Sequence, residues 1–145
     1  MNKSLIANYR MSLSKFKLIN LPKFLDPRGN LSYMEEKNHI PFKIERSYWI
    51  YDVPGGEVRG GHSYSKNEEV IIALSGSFDI ILSDSIEERV YSLNRSYYGL
   101  YVPNGIWRHM ENFSTNALAF IVASTEYDEV DYIRNYENYL KTKKL

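Results

Sequence analysis

Residues 58–82 have the sequence VRGGHSYSKNEEVIIALSGSFDIIL and show the pattern on which the fold prediction rests. Two runs rich in β-branched and aromatic residues, VIIAL (70–74) and FDIIL (78–82), flank the turn residues SGS (75–77). Such runs on either side of a short glycine-containing turn predict a β-hairpin. The segment before them, residues 58–65, is predicted to form another strand.

The same pattern continues on both sides of this stretch. Short runs of Val, Ile, Tyr and Phe alternate with turn residues, which is typical of an all-β sandwich or barrel. Further strands are predicted over residues 16–21, 31–36, 45–53, 88–93, 98–103, 104–113 and 117–125. Only residues 129–144 have helical spacing, which predicts a C-terminal amphipathic helix. We therefore predict a short tail over 1–15 and a single domain over 16–145.

The composition argues against several classes of protein. The 145 residues are enough for one domain with one buried core. The 18 basic and 18 acidic residues give no formal net charge, which argues against binding a nucleic-acid polymer. There is no cysteine, which excludes disulfides and thiolate chemistry. No apolar run is long enough to span a membrane and no cleaved signal is evident, so we expect a cytoplasmic protein.

Two histidines are candidates for a functional site. His62 and Tyr64 lie two residues apart on a predicted strand, so their side chains share one face. Gly60 and Gly61 precede them and permit a bulge or a close approach of the backbone to a ligand. His109 lies on a later predicted strand, which can bring both histidines into one barrel mouth. The alternative that each is a hydrogen-bonded interior histidine stays open.

These segments resemble the cupin superfamily. The first cupin motif is a glycine-led HxH followed by a glutamate and a hairpin glycine, and Tyr64 stands where the second histidine belongs. The residues that match this motif are Gly61, His62, Glu68 or Glu69, and Gly76. The second motif is matched, with irregular spacing, by Gly99, Pro103, Gly105, His109 and Asn112. The resemblance implies a small jelly-roll β-barrel with a C-terminal helix.

From residue 16 onward the chain is also similar to the WxcM-like nucleotide-sugar 3,4-ketoisomerases. The matching stretches are DPRGNLSYMEE (26–36), IPFKIERSYWIYD (40–52), residues 58–82, GLYVPNGIWRHMENFS (99–114) and ASTEYDEVDYIRNYENY (123–139). This resemblance implies an isomerase that moves the keto group of a dTDP-4-keto-6-deoxyhexose from C4 to C3 through an enediol. It implies no metal or other cofactor, a homodimer with exchanged N-terminal strands, and a place in the synthesis of deoxyamino sugars for surface polysaccharides.

The same resemblance implies roles for individual residues. His62 is expected to be the acid/base, and Tyr64 and Tyr48 are expected to be proton donors. Because a phenol has a pKa near 10, Tyr64 is a poor base at neutral pH but a suitable donor to an enediolate. The residues expected to bind the substrate are Arg28, Arg46, Arg59, Arg108 and His109. Within this set, Arg46 and Arg59 correspond to diphosphate-binding arginines, and Arg108 influences the configuration at C4.

Two alternatives to the isomerase remain open at this point. The first is a non-catalytic cupin that binds a nucleotide sugar but lost the chemistry together with the second histidine. The second is a metal-dependent cupin oxygenase, in which His62, Glu68 or Glu69, and His109 would be the ligands.

Overall fold

The predicted strands form two five-stranded antiparallel sheets in the computed structural model, which describes residues 17–144. The strands are β1 (Lys17–Asn20), β2 (Lys23–Phe24), β3 (Leu31–Ser32), β4 (Arg46–Ile50), β5 (Arg59–Tyr64), β6 (Glu69–Ser75), β7 (Phe78–Ser83), β8 (Glu88–Leu93), β9 (Tyr98–Val102), β10 (Trp107–Glu111), β11 (Leu118–Ala123) and β12 (Tyr132–Ile133). One helix, α1 (Tyr136–Lys143), follows them. The predicted tail, residues 1–15, lies outside the described residues.

The two sheets share one apolar core. Sheet 1 has the strand order β1-β9-β6-β11-β4 and sheet 2 has the order β12-β5-β10-β7-β8. Inward side chains of both sheets, such as Ile71 and Ile121 from sheet 1 and Leu82 and Met110 from sheet 2, pack together and are fully buried. The prediction of an all-β fold with a C-terminal helix is confirmed. Within residues 17–144 the sheets do not close into one continuous barrel, so the arrangement is the double-sheet form of a jelly roll.

The hairpin predicted over residues 70–82 is wrong in its pairing, although both of its strands exist. β6 lies between β9 and β11 in sheet 1, whereas β7 lies between β10 and β8 in sheet 2. The chain crosses from one sheet to the other at Gly76, which has a φ of +63°. A Cβ atom at this position would lie 2.5 Å from the Ser114 hydroxyl oxygen. Strong strand propensity identified the two segments, but their pairing depends on more distant strands.

The helix predicted over residues 129–144 is too long. The helix begins at Tyr136, after Asn135 accepts a hydrogen bond from the Asn138 backbone N–H at 3.0 Å. Residues 129–131 form a 3-10 turn, and Tyr132–Ile133 forms β12, which pairs with β5. The apolar residues of this region therefore belong to two elements, the short strand β12 and the helix α1. No helix within residues 17–144 is both long enough and apolar enough to cross a bilayer.

A small third sheet lies apart from the other two. Its strands, β2 and β3, pair with each other and with no other strand in the described chain. The strand predicted over residues 31–36 is reduced here to two residues. Phe24, Leu25 and Leu31 of this arm are all more than half exposed. The arm, defined as residues 23–32, thus presents apolar side chains that its own chain does not cover.

Candidate active site

A cavity of about 290 Å³ is lined by residues of β4, β5, β10 and β12 and by Arg134. Its lining consists of Tyr48, Trp49, Ile50, Arg59, Gly60, Gly61, His62, Tyr64, Arg108, Tyr132 and Arg134. Three arginines, three tyrosines and one histidine dominate this list, and it contains no carboxylate. The cavity is therefore cationic and aromatic, which suits an anionic ligand with polar groups.

A β-bulge brings two of these side chains to the same side of β5. Arg108 is paired with His62 and Met110 with Arg59, so two residues of β5 oppose the single residue between them on β10. The bulged residues are Gly60, with a φ of +73°, and Gly61. In a regular strand, residues three apart point to opposite faces. The extra residue lets Arg59 and His62 both line the cavity.

His62 is the buried titratable group of the cavity. Its ring is 6% exposed, and its Nε2 atom has no hydrogen-bond partner among residues 17–144. Burial and the nearby positive charges of Arg108, Arg134 and Arg46 lower the pKa of His62 to about 2. The imidazole is therefore neutral at physiological pH. His62 lines the cavity, and a neutral imidazole can accept a proton from a ligand.

Arg108 is held by a buried ion pair with Glu69. Both side chains are 1% exposed, and the Arg108 Nη2 atom lies 2.8 Å from a Glu69 carboxylate oxygen. Arg108 also donates to the Tyr48 hydroxyl at 2.8 Å and to the Gly60 carbonyl at 3.2 Å. Burial opposes the charge of Arg108, but the Glu69 carboxylate outweighs it and raises the pKa above the usual range. Arg108 therefore keeps a fixed positive charge at the cavity wall.

Tyr48 and Tyr64 place two phenol groups next to this ion pair. Their hydroxyl oxygens are 3.4 Å apart, and the Tyr48 hydroxyl donates to Glu69. Burial, followed by the negative charge of Glu69, raises the pKa of both phenols. Both groups are consequently protonated at neutral pH. Tyr64 can donate a proton to a ligand oxygen, and Tyr48 can do so only by giving up its hydrogen bond to Glu69; neither protonated phenol is a base.

Of two further arginines of the predicted set, Arg59 lines the cavity, whereas Arg46 contacts a residue of its lining. Arg59 is exposed and lines it directly. Arg46 has a buried Nε atom without a hydrogen-bond partner in the described chain, and its Nη1 atom donates to the Tyr132 hydroxyl at 3.4 Å. Tyr132 belongs to the lining, and its ring centre lies 5.0 Å from that of His62. Arg46 on β4 is therefore connected to the cavity through Tyr132 and does not itself line it.

Two other predicted residues lie outside the cavity. The Arg28 side chain is 90% exposed and forms an ion pair with Asp26 at 3.0 Å on the arm. His109 neighbours Arg108 on β10, so its side chain points to the opposite face of the strand. Its Nε2 atom lies 3.5 Å from a Glu111 carboxylate oxygen. Neither residue contributes to the cavity of its own chain.

The ligand set of the metal-dependent alternative is not assembled. His109 faces away from the cavity, and Glu69 is bound by Arg108. Across residues 17–144, no three His, Asp or Glu side chains are grouped closely enough to hold a metal ion. The residues present do not fit that alternative.

Sequence reasoning did not identify Tyr132 and Arg134 as site residues. Both fall within the helix predicted over residues 129–144, whereas β12 places Tyr132 beside Tyr64, with ring centres 4.7 Å apart. The Arg134 guanidinium lies over the Tyr132 ring at 4.2 Å. The sequence does contain a pattern that could have indicated this. Tyr132 and Arg134 are two residues apart, as are residues on one face of a strand.

The family assignment follows from comparison with known proteins. Residues 14–144 match the family described as FdtA: WxcM-like, C-terminal. The chain belongs to this WxcM-like family. A TDP-4-oxo-6-deoxy-α-D-glucose-3,4-oxoisomerase of Aneurinibacillus thermoaerophilus is 42% identical over 125 residues, which are 86% of this chain and 90% of that relative. The family predicted from the sequence is therefore confirmed.

Solved structures of WxcM-like relatives have the same fold. A 3,4-ketoisomerase of Helicobacter canadensis is 37% identical, with a TM-score of 0.86 over 89% of this chain and 97% of its own. A TDP-quinovose 3,4-ketoisomerase of Campylobacter jejuni is 41% identical, with a TM-score of 0.83 over 88% of this chain and 98% of its own. The predicted cupin-type architecture is confirmed, and the named relatives support an enzyme over a non-catalytic binding protein.

Proposed function

We propose that this chain is a TDP-sugar 3,4-ketoisomerase, which converts a TDP-linked 4-keto-6-deoxyhexose into its 3-keto isomer. The observation that carries the proposal is the free Nε2 atom of the buried, neutral His62 in an arginine-lined cavity. The oxoisomerase of Aneurinibacillus thermoaerophilus supplies the substrate class. A 3-keto sugar is the type of compound that an aminotransferase needs, which fits deoxyamino-sugar synthesis for surface polysaccharides in the cytoplasm.

His62 moves the proton between the two carbon atoms of the sugar. Its Nε2 atom removes the proton from C3, and the released electron pair forms a double bond between C3 and C4. The C4 oxygen then takes a proton from a phenol donor, Tyr64 or Tyr48, which gives the enediol. Next the C3 hydroxyl returns a proton to the phenolate left by that step, the C3 carbonyl forms, and C4 takes a proton from the His62 imidazolium. The low pKa of His62 favours this return of the proton.

The arginines supply binding and charge. Arg46 and Arg59 bind the diphosphate, because planar guanidinium groups match phosphate oxygens. Arg108 cannot move freely, since Glu69 and Tyr48 occupy its donors. Its fixed charge beside the phenols stabilises the negative charge that develops on the sugar oxygens. The same position allows Arg108 to influence which face of C4 is protonated.

Proton exchange with solvent tests the reaction. The protein is incubated with TDP-4-keto-6-deoxyglucose in deuterated water, and the products are followed by NMR. We expect a 3-keto product that carries deuterium at C4, because the transferred proton passes through an exchangeable imidazolium. Tight binding of the substrate without exchange or product would contradict the isomerase and would favour the non-catalytic alternative.

We further propose that the enzyme is a homodimer in which the arms are exchanged. The arm exposes Phe24, Leu25 and Leu31, and β4 is an edge strand that pairs only with β11 in the described chain. An arm from a second copy could cover apolar surface and add to this edge. Such an exchange would also carry the exposed Arg28 toward the cavity of the other subunit, as the predicted substrate-binding role requires.

A further inference from the structure

An exposed ion pair lies at the rim of the cavity. The Arg134 Nε and Nη2 atoms donate to the two Glu129 carboxylate oxygens at 2.8 and 3.1 Å. This two-pronged arrangement is also the one in which a guanidinium group binds phosphate. The side chains of Arg134 and Glu129 are 54% and 58% exposed. Exposed pairs of this kind are weak, so a ligand anion of higher charge can replace the carboxylate.

Tyr132 places Arg134 within the same wall as the other groups of the site. The Arg134 guanidinium lies 4.2 Å from the centre of the Tyr132 ring, and Arg46 donates to the hydroxyl of that ring. Tyr132 also packs against His62. Arg134 and Arg46 thus contact one tyrosine, and Arg134 itself lines the cavity.

The hydrogen bonds that Arg108 makes within the protein leave it unsuited to bind a phosphate group. All three of its nitrogen atoms donate to groups of the protein, namely Glu69, Tyr48 and Gly60. Arg108 is also 1% exposed, so it offers little to a diphosphate at the mouth of the cavity. Among the arginines of the lining, this leaves Arg59 and Arg134 accessible.

We propose that Arg134 is a further diphosphate-binding residue and that Glu129 occupies its guanidinium group until a ligand phosphate replaces it. This inference rests on the proposed function, since it requires a nucleoside diphosphate in the cavity. The Glu129 carboxylate acts as an internal competitor: it keeps the arginine oriented in the free enzyme and lowers its affinity for anions.

Calorimetric titration of the full chain with TDP tests both halves of the proposal. We expect Arg134→Gln to weaken TDP binding at least tenfold and to leave thymidine binding unchanged, since thymidine has no phosphate. Glu129→Gln removes the competitor and should strengthen TDP binding about two- to threefold. The matched controls are Arg89→Gln and Glu87→Gln, a surface pair with 3.8 Å between charged atoms that does not line the cavity. Both controls should bind TDP like the wild type.

The outcomes separate this inference from the function on which it rests. If the wild type binds TDP and turns over substrate while Arg134→Gln binds TDP equally well, Arg134 is not a diphosphate ligand. If Glu129→Gln weakens TDP binding, the carboxylate supports the arginine and does not compete. If the wild type itself fails to bind TDP, the proposed function fails first. Melting curves of each variant establish that the fold is intact.

Discussion

At His62, burial and charge act in the same direction on one imidazole. Both favour the neutral form, because the ring has little access to water and lies near three guanidinium groups. A bound diphosphate would partly cancel those positive charges and make the ring a better proton acceptor. The affinity of His62 for protons is therefore expected to rise when substrate binds, which couples binding to catalysis.

Replacing His62 by asparagine separates catalysis from binding. We expect His62→Asn to lower kcat at least about 100-fold, because no other neutral base lines the cavity in the described chain. TDP affinity should stay within about twofold, since we propose that arginines and not His62 bind the diphosphate. Steady-state kinetics and calorimetry give the two values. The control is His39→Asn, a loop histidine that accepts a hydrogen bond from the Glu35 backbone N–H and lies outside the cavity. An equal loss of rate and affinity would indicate a structural role.

Removing the hydroxyl of Tyr64 tests the proton donor. We expect Tyr64→Phe to lower kcat roughly 10- to 100-fold with little change in KM, because the buried phenol is protonated and cannot be replaced by water. Tyr91→Phe, on β8 and away from the cavity, is the matched control. Unchanged kinetics for Tyr64→Phe would leave Tyr48 as the donor and Tyr64 as a packing residue.

The residues of the site were predictable to different degrees. His62, Tyr48 and Arg59 belong to motifs whose resemblance to a family placed them together before the fold was known. The ion pair between Arg108 and Glu69 was not predictable, because it joins two strands that pair with different neighbours. The partner of a buried charge is determined by the tertiary structure. The spacing of residues within one segment does not predict it.

Among the elements, β5 depends on a conformation that only glycine adopts easily. Gly60 has a φ of +73°, and a Cβ atom there would lie 2.2 Å from the Arg108 Nη1 atom. The guanidinium group is the flexible end of a side chain, but Glu69 and Tyr48 fix it in place. The bulge and the ion pair therefore support each other.

An alanine at position 60 should disturb both features. We expect Gly60→Ala to destabilise the protein by about 1–3 kcal/mol, from the strained φ and the displaced guanidinium group. Thermal unfolding should then begin roughly 2–10 °C lower, and kcat should fall as well. Gly55→Ala serves as the control, since a Cβ atom there has nothing within 4 Å. Equal melting temperatures for the two variants would contradict this account.

Sequence patterns identified most strands but not how they pair. Runs of β-branched and aromatic residues between turn residues located β4, β7 and β10. These runs could not show that the chain crosses to the opposite sheet at Gly76. That crossing depends on the close packing of Gly76 against Ser114, which is distant in sequence. The helix predicted over residues 129–144 was too long for a different reason. Its apolar residues at helical spacing included Tyr132 and Ile133, which form β12.

For the whole molecule, His62 makes stability depend on pH. Its pKa is lowered from 6.5 to about 2 in the folded state, so below about pH 6.5 the unfolded chain takes up a proton that the folded chain refuses. The free energy of unfolding should therefore fall by about 1.4 kcal/mol per pH unit from this group alone. Urea unfolding between pH 7.5 and 5 measures it. His62→Asn should show a shallower decline, and identical slopes would contradict the assignment.

The association state is the second property of the whole molecule. We expect light scattering to give twice the mass of one chain for the wild type. Phe24→Asp combined with Leu31→Asp places charges on the arm and should yield a monomer, because burying an unpaired carboxylate is costly. Ile86→Asp, at a similarly exposed position between β7 and β8, should remain dimeric. A monomeric wild type would rule out the exchange of arms.

The extra residue at Gly60 and Gly61 changes the parity of β5. In a regular strand, Arg59 and His62 would point to opposite faces. The bulge reverses the face of every residue before it, so both side chains point to the same face. Deletion of one glycine would turn the Arg59 side chain to the other face of β5, away from the cavity. If Arg59 binds phosphate as we propose, a one-residue gap at this point in an alignment of relatives marks a functional difference.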